Sequence, residues 1–237
     1  MNETIDSILI AFSLIINQED YLVEIVILSL RVSLLATFYA SILGLSLAVI
    51  LAVFRIPGTF FMVGLINGFL GLPPVVVGLF LYLMLSNNGP LNFLELLYSP
   101  GAMILAQTIL ITPVIAALSY EILKNANDEY FDQLTTLGAS KFVICRTILW
   151  ESRYSLSTVL VAGFGRAIGE VGAVMIVGGN INHLTRVMTT TIALETSKGN
   201  LTFALALGII LIFISLFINF MLVALRQKAG LVEGKKL

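Results

Sequence analysis

Long apolar stretches separated by short polar ones dominate the chain. Apolar side chains fill most of residues 21–54, 59–85, 101–123, 153–178 and 201–225. A helix rises about 1.5 Å per residue and the hydrocarbon core of a bilayer is about 30 Å thick, so one crossing takes roughly 20 apolar residues. The pattern therefore predicts five membrane-spanning helices, numbered here as spans 1 to 5 in the order given.

A shorter apolar segment, residues 7–16, precedes span 1. It is too short to cross a bilayer and predicts a helix lying at the membrane interface. The chain up to residue 21 has no Lys or Arg, so it lacks the basic start of a secretory signal peptide, and we expect it to remain on the mature protein. The predicted fold is all-α and forms a single domain over residues 1–237.

Prolines interrupt two of the spans. Pro73 and Pro74 lie almost at the centre of span 2, and Pro113 lies near the middle of span 3. A double proline removes backbone donors and clashes with the preceding turn, so it must break or kink span 2. The carbonyl groups released are tolerated at membrane depth only against protein or a water-filled path. Pro73 and Pro74 are therefore candidate residues of a translocation path.

Composition supports an integral membrane protein and excludes several other classes. Hydrophobic residues make up 58% of the chain and charged residues 11%, with a mean hydropathy of +1.01, which leaves too little polar surface for a soluble domain of this size. The lone cysteine excludes an internal disulfide framework, and the lone histidine argues against a His/Cys metal site. The sequence has no phosphate-binding G-x-x-x-x-G-K-[ST] motif and no clustered catalytic groups, so we expect neither an enzyme nor a nucleic-acid partner.

The positions of the basic residues predict how the chain is oriented. Arg31 and Arg166 lie inside spans and are set aside; Arg31 is long enough to reach the outer interface or, alternatively, to contact a substrate. Alternate connections place nine basic residues on one side and only Arg186 and Lys198 on the other. The nine are Arg55, Lys124, Lys141, Arg146, Arg153, Arg226, Lys228, Lys235 and Lys236. The positive-inside rule then puts the amino terminus outside the cell membrane and the carboxyl terminus in the cytoplasm.

Residues 128–151 form the polar stretch on the predicted cytoplasmic side. Asp128 and Asp132 suit the start of a short helix, Gly138 interrupts it, and Ser140 is suited to cap a second helix. Spacing alone leaves two interpretations open. The stretch is either an ordinary loop whose amphipathic helices rest on lipid headgroups, or an element that docks onto a partner.

The same stretch resembles the EAA loop of ABC importer permeases, the coupling helix that seats in a groove of the cytoplasmic ATPase. Leu137-Gly138-Ala139-Ser140 and Ile148 carry the resemblance, while Leu134, Trp150 and Glu151 depart from the family pattern. Asp132 and Gln133 stand where the family has Glu and Ala. The resemblance implies seven ATPase-coupling residues: Asp132, Gln133, Leu137, Gly138, Ala139, Ser140 and Ile148.

Other segments extend the resemblance over most of the chain. Residues 28–33, 72–78 and 165–173 look like the molybdate and tungstate permease group, and residues 177–181 and 189–199 look most like its tungstate branch. The resemblance implies a type I ABC importer fold acting as a homodimer, with an ATPase dimer that uses ATP and Mg and a binding protein outside. It implies that this chain binds no cofactor itself.

The resemblance and the remaining sequence features leave the cargo and the class of transporter open. The implied function is translocation of tungstate by alternating access, and the alternative cargo is molybdate or another oxyanion such as sulfate. A passive channel or a secondary transporter is the alternative from another class, and the absence of an inverted repeat counts against the second.

Span 4 carries an intramembrane ion pair. Arg166 and Glu170 are four residues apart, which suits a pair on one helical face that offsets part of the cost of burying charge. A seam of small residues beside them would let another helix approach closely: Ala162, Gly165, Gly169 and Gly172. The pair either locks span 4 against a neighbour or, with Gly169, lines or gates the path of an anion.

The connection between spans 4 and 5, residues 179–200, is the polar segment of the predicted outer side. It holds His183, Arg186, three consecutive threonines from Thr189, and Glu195. Hydroxyl groups and a cation are suited to bond an oxyanion or a docking protein, which makes Arg186, Thr189 and Thr190 candidates for contact with the binding protein. The alternative is a solvated loop with a short helix.

Overall fold

The structure is a computed structural model that describes residues 19–54 and 56–234. Helices account for most of this part of the chain, which contains no β-strand, so the all-α prediction is confirmed. The predicted interfacial helix at residues 7–16 lies outside the described residues. The α-helices of the described part are α1 (Asp20–Val53), α2 (Thr59–Phe69), α3 (Pro74–Leu85), α4 (Pro100–Thr136), α5 (Lys141–Glu151), α6 (Arg153–Ile168), α7 (Gly172–Gly178), α8 (Met188–Ser197) and α9 (Leu201–Gly234).

The helices that could cross a membrane fall at the positions of the five predicted spans. Three helices, α1, α4 and α9, are each long and apolar enough to cross a bilayer. The pairs α2 with α3 and α6 with α7 pass the same test together, although each pair is bent, by 97° and 59° respectively. The described residues thus provide three spans, or up to five if each bent pair is one span.

The break between α2 and α3 lies at the double proline, as predicted. Pro73 is extended, with φ −66° and ψ 121°, and Pro74 is the first residue of α3. Proline is favourable at a first helical position because its missing N–H has no intrahelical partner there. The chain therefore changes direction at the two prolines, between the end of α2 and the start of α3.

Span 4, predicted over residues 153–178, is made of two helices instead of one. Helix α6 ends at Ile168, and α7 begins at Gly172. Polar groups next to the break are satisfied outside the helical ladder, because the Thr189 hydroxyl donates to the Glu170 carbonyl (2.8 Å) and the Ala173 N–H donates to the Glu170 carboxylate (3.3 Å). Gly169, which has low helix propensity, occupies the break.

The prediction of a separate short helix starting at Asp128 is wrong, because these residues continue helix α4. Helix α4 runs 37 residues from Pro100 to Thr136 without interruption, including Pro113 in its interior. Residues 124–136 contain neither Gly nor Pro, so nothing in this polar continuation stops a helix that has already formed.

Contacts within the described residues cluster into two compact units. One comprises residues 19–36, 73–107 and 165–217, and the other residues 37–72, 108–164 and the chain from 218. In the first unit α3 packs closely on α7. The second unit has an apolar core that includes Ala48, Leu123 and Ile148. The single-domain organisation stays a prediction.

Candidate functional site

The predicted ion pair of span 4 is present at the break between α6 and α7. Arg166 Nη1 lies 3.1 Å from Glu170 Oε2, with the Arg side chain 47% exposed and the Glu side chain only 5% exposed. Glu170 is not helical, so its carboxylate also accepts the Ala173 N–H at the start of α7. A buried carboxylate is very costly without such partners. The break thus holds a buried anion between a cation and a helix N-terminus.

Arg166 is placed to do more than neutralise Glu170. Its guanidinium carries five N–H donors, and the side chain is nearly half exposed. It can therefore hold Glu170 and still offer donors to an approaching ligand. Arg is well suited to oxyanions because its planar fork forms charge-assisted, paired hydrogen bonds.

Buried polar groups that the apolar pattern of the sequence does not reveal lie beside the break. Gln107 of α4 donates through Nε2 to the Ala167 carbonyl (3.0 Å), and the Met188 N–H donates to Ser29 Oγ of α1 (2.8 Å). The signal that could have found Gln107 is its position as an amide inside an apolar span, where polar side chains commonly face protein.

Close packing of α3 on α7 confirms part of the predicted seam. A Cβ added to Gly172 would lie 2.8 Å from Val75 Cγ2, and one added to Gly78 would lie 2.8 Å from Ala173 Cα. A Cβ added to Gly169, by contrast, would have ample space: beyond the adjacent residues, the described part of the chain brings only the Gly165 carbonyl oxygen within 4 Å of it, at 3.8 Å. Pro73, which precedes α3, and Pro74, its first residue, belong to the same compact unit as Arg166 and Glu170.

Arg186, a candidate contact for the binding protein, is held by several groups. Its guanidinium donates to the Tyr21 hydroxyl (2.6 Å), to Asn182 Oδ1 (3.1 Å) and to the Asn180 carbonyl (3.2 Å). Beside it, His183 Nδ1 lies 2.7 Å from Glu24 Oε2. These contacts fasten the start of α1 to the segment before α8.

Thr189 and Thr190 do not present their hydroxyls to an outside partner. Both are buried; Thr189 donates to the Glu170 carbonyl and Thr190 to the Val187 carbonyl. The threonine run forms the first turn of α8, whose polar side chains are used inside the protein. Docking of a binding protein through these two hydroxyls is therefore not supported. Their hydrogen bonds inside the protein could not be predicted from the sequence.

Glu195 at the other end of α8 is a buried carboxylate with two donors. Lys198 Nζ lies 3.0 Å from Oε1, and Asn200 Nδ2 donates to Oε2 at 2.9 Å. The hydrogen bond from Lys198 is the largest cause that holds the pKa of Glu195 below its usual value, and it outweighs the opposing effect of burial. The group is thus stabilised as an anion.

Residues 128–151, the candidate coupling stretch, have the predicted turn and cap. Gly138 has φ +75°, a left-handed conformation that favours glycine, and Ser140 Oγ accepts the Val143 N–H at the start of α5 (3.4 Å). Asp132 and Gln133 are exposed in the last turns of α4, whereas Ala139 is partly buried against the core.

Ile148 is not part of the exposed face, contrary to its predicted contact with a partner. It is fully buried in the core of the second compact unit. The large exposed apolar side chains of this stretch are Leu137, Phe142, Val143 and Trp150. Phe142 and Trp150 also line a hollow of about 370 Å³ along α5, next to Arg146. One side of α5 packs on the core of the protein and the other faces outward, and both sides carry apolar residues. The sequence spacing therefore did not reveal which residues face outward.

The chain belongs to the family described as the binding-protein-dependent transport system inner membrane component, whose model matches residues 22–230. It is 39% identical over 220 residues to the tungstate uptake system permease protein TupB of Peptoclostridium acidaminophilum, covering 92% of this chain and 96% of that protein. It is 40% identical over 204 residues to a probable anion ABC transporter permease protein of Haloferax volcanii, covering 84% and 88%. It is 30% identical over 220 residues to the sulfate transport system permease protein CysT of Escherichia coli, covering 86% and 78%.

Proposed function

We propose that this chain is the transmembrane permease subunit of an ATP-driven importer of tungstate. The observation that carries the proposal is the match of nearly the whole chain to a tungstate uptake permease, and the exposed coupling stretch is consistent with it. Such a subunit is not itself an enzyme, and the energy comes from ATP and Mg used by a separate ATPase.

The coupling stretch is the proposed contact with that ATPase. Leu137, Phe142 and Trp150 expose apolar surface. Aromatic side chains such as Phe142 and Trp150 commonly become the buried anchors of an interface once a partner covers them. Asp132, Gln133 and Gly138 are also exposed in this stretch. The positive-inside rule puts this surface in the cytoplasm and the amino terminus outside. Two copies of the chain would pair with an ATPase dimer inside and a binding protein outside.

The broken span is the proposed place where the anion passes. Arg166 offers positive charge and hydrogen-bond donors there, while Glu170 holds it in position. Closure of the two ATPases would draw the coupling stretches together and change which side of the membrane the path opens to, which is alternating access. Each anion would then pass from its binding protein to the cytoplasm.

Copurification tests the ATPase contact. We expect Phe142→Ser to lose the ATPase, because it removes an exposed aromatic anchor of α5. Phe93→Ser is the matched control, since Phe93 is equally exposed but lies in the 3₁₀-helix Asn92–Leu94 outside the coupling stretch. Retention of the ATPase by both variants would contradict the docking assignment.

Transport by reconstituted vesicles tests whether uptake is ATP-driven and whether Arg166 and Glu170 belong to the path. ATP-dependent tungstate uptake is expected with the binding protein and ATPase present, and uptake without ATP would indicate a passive channel instead. The double variant Arg166→Gln with Glu170→Gln should lower the uptake rate. An unchanged uptake rate and an unchanged ATPase coupling would exclude this pair from the path.

A second cargo, molybdate or sulfate, is favoured by the similarity to an anion permease and a sulfate permease. Titrating the partner binding protein with tungstate, molybdate and sulfate by calorimetry distinguishes them. Tungstate should bind most tightly if the proposal is right.

A further inference from the structure

A small polar cavity lies beside the break between α6 and α7. The space open to the centre of a water molecule is about 10 Å³. Its polar lining comes from Ser29, Ser33, Gln107, Glu170 and Thr189, all of which are buried. At membrane depth such polar groups need partners inside the protein, because lipid supplies none.

Gln107 has one polar atom without a partner. Its side-chain Oε1 is buried and accepts no hydrogen bond within the described part of the chain, although the residue is only 4% exposed. Its Nε2 donates to the Ala167 carbonyl, which fixes the orientation of the amide, since a flipped amide would set two acceptor oxygens against each other. A buried acceptor left unsatisfied costs about 1–3 kcal/mol. The cavity must therefore supply a donor.

The size of the cavity and the charge of Glu170 limit which donor can occupy it. A tetrahedral oxyanion is too large for the space and would meet the Glu170 carboxylate. A cation is disfavoured because Glu170 already has Arg166 and the Ala173 N–H as partners. A water molecule is neutral, has two donors, and needs about 10–15 Å³ of space open to its centre and two to four polar neighbours.

We propose that this cavity binds one water molecule, which donates to Gln107 Oε1 and bonds to neighbouring side-chain oxygens of the lining. The water completes the hydrogen bonding of Gln107 while that residue holds the Ala167 carbonyl at the end of α6. It thereby joins α4 to the broken span within a buried polar cluster.

Radiolytic labelling of the purified full chain in ¹⁸O-water tests the site. Hydroxyl radicals formed from a bound water modify the side chains beside it. The apolar lining residues Ile168 and Val187 are the reporters, and Val77 and Leu81, which are buried to a similar degree but lie outside the lining, are the controls. We expect ¹⁸O to enter the reporters faster than the controls.

Variants of Gln107 test its part in holding the water. Gln107→Met removes the amide at similar length and should reduce reporter labelling to the rate of the controls, whereas Gln107→Glu keeps an oxygen and should retain labelling. Thr191→Val is the matched control, because this buried hydroxyl bonds the Val187 carbonyl and does not line the cavity.

Equal labelling of reporters and controls in the unmodified protein would overturn the water site. Undiminished reporter labelling in a folded Gln107→Met variant would overturn the role of Gln107. If that variant does not fold, the comparison within the unmodified protein still decides whether the cavity is hydrated.

Discussion

Replacing Gly78 by Ala is expected to disrupt the packing of α3 on α7. The added Cβ would lie 2.8 Å from Ala173 Cα and 3.1 Å from Ala173 O, whereas carbon atoms in good contact are about 3.5–4.0 Å apart. The obstacle is backbone, so no side-chain rotation relieves it and the helices must separate by about 1 Å. Overpacking of this kind costs about 3 kcal/mol, at the upper end of the usual range.

The helix propensity of alanine offsets part of that cost. Exchanging Gly for Ala inside a helix is favourable by about 0.5–1 kcal/mol, which leaves a net loss of about 2 kcal/mol. For a chain of this length the loss corresponds to a fall of about 4–8 °C in the midpoint of thermal unfolding. Midpoints measured in one detergent at one heating rate provide the comparison.

Gly64→Ala is the matched control for this measurement. Gly64 also lies inside a helix, but nothing is found within 4 Å of its added Cβ among the described residues. It should keep the propensity gain and raise the midpoint by about 1–4 °C. If Gly78→Ala unfolds at or above the midpoint of the unmodified protein, the contact of α3 with α7 is not as close as described.

Three further changes test the electrostatics and the cap. Arg166→Met should lower the unfolding midpoint more than Glu170→Gln, because it leaves a buried charge without its cation, at a cost of about 3–5 kcal/mol; equal midpoints would contradict this. Glu195→Gln should destabilise the protein near neutral pH, and the difference should shrink as pH falls below the usual Glu pKa of 4.5, since the folded pKa is depressed mainly by Lys198; a pH-independent difference would refute the linkage. Ser140→Ala should cost about 0.5–1 kcal/mol and speed amide exchange in the first turn of α5, and unchanged exchange would argue against the cap.

Local backbone features were predictable from the sequence wherever a residue type forces a conformation. The double proline separates α2 from α3, Gly138 adopts positive φ, and Ser140 caps α5. Apolar length placed α1 at Asp20–Val53, within one residue of the prediction at each end. These features depend on covalent geometry or on the thickness of a bilayer, which the sequence states directly.

The faces of the helices were harder to predict for a physical reason. Lipid and protein interior are both apolar, so hydrophobicity does not tell a lipid-facing side chain from a buried one. Ile148 was expected at a partner surface and lies in the core. Thr189 was expected outside and bonds the backbone of the broken span. Gly169 did not predict that break, because glycine is common in unbroken membrane helices.

The exposed side chain of Trp150 gives the protein an optical reporter of its own. It is the single tryptophan of the sequence and lies on the exposed face of α5, with the Arg153 guanidinium 4.5 Å from its ring centre. Its emission therefore comes from the proposed contact with the ATPase and from nowhere else in the chain. When a tryptophan-free ATPase covers that surface and excludes water from the indole, the emission shifts to shorter wavelength. Assembly and release can then be followed in real time without a label on either protein.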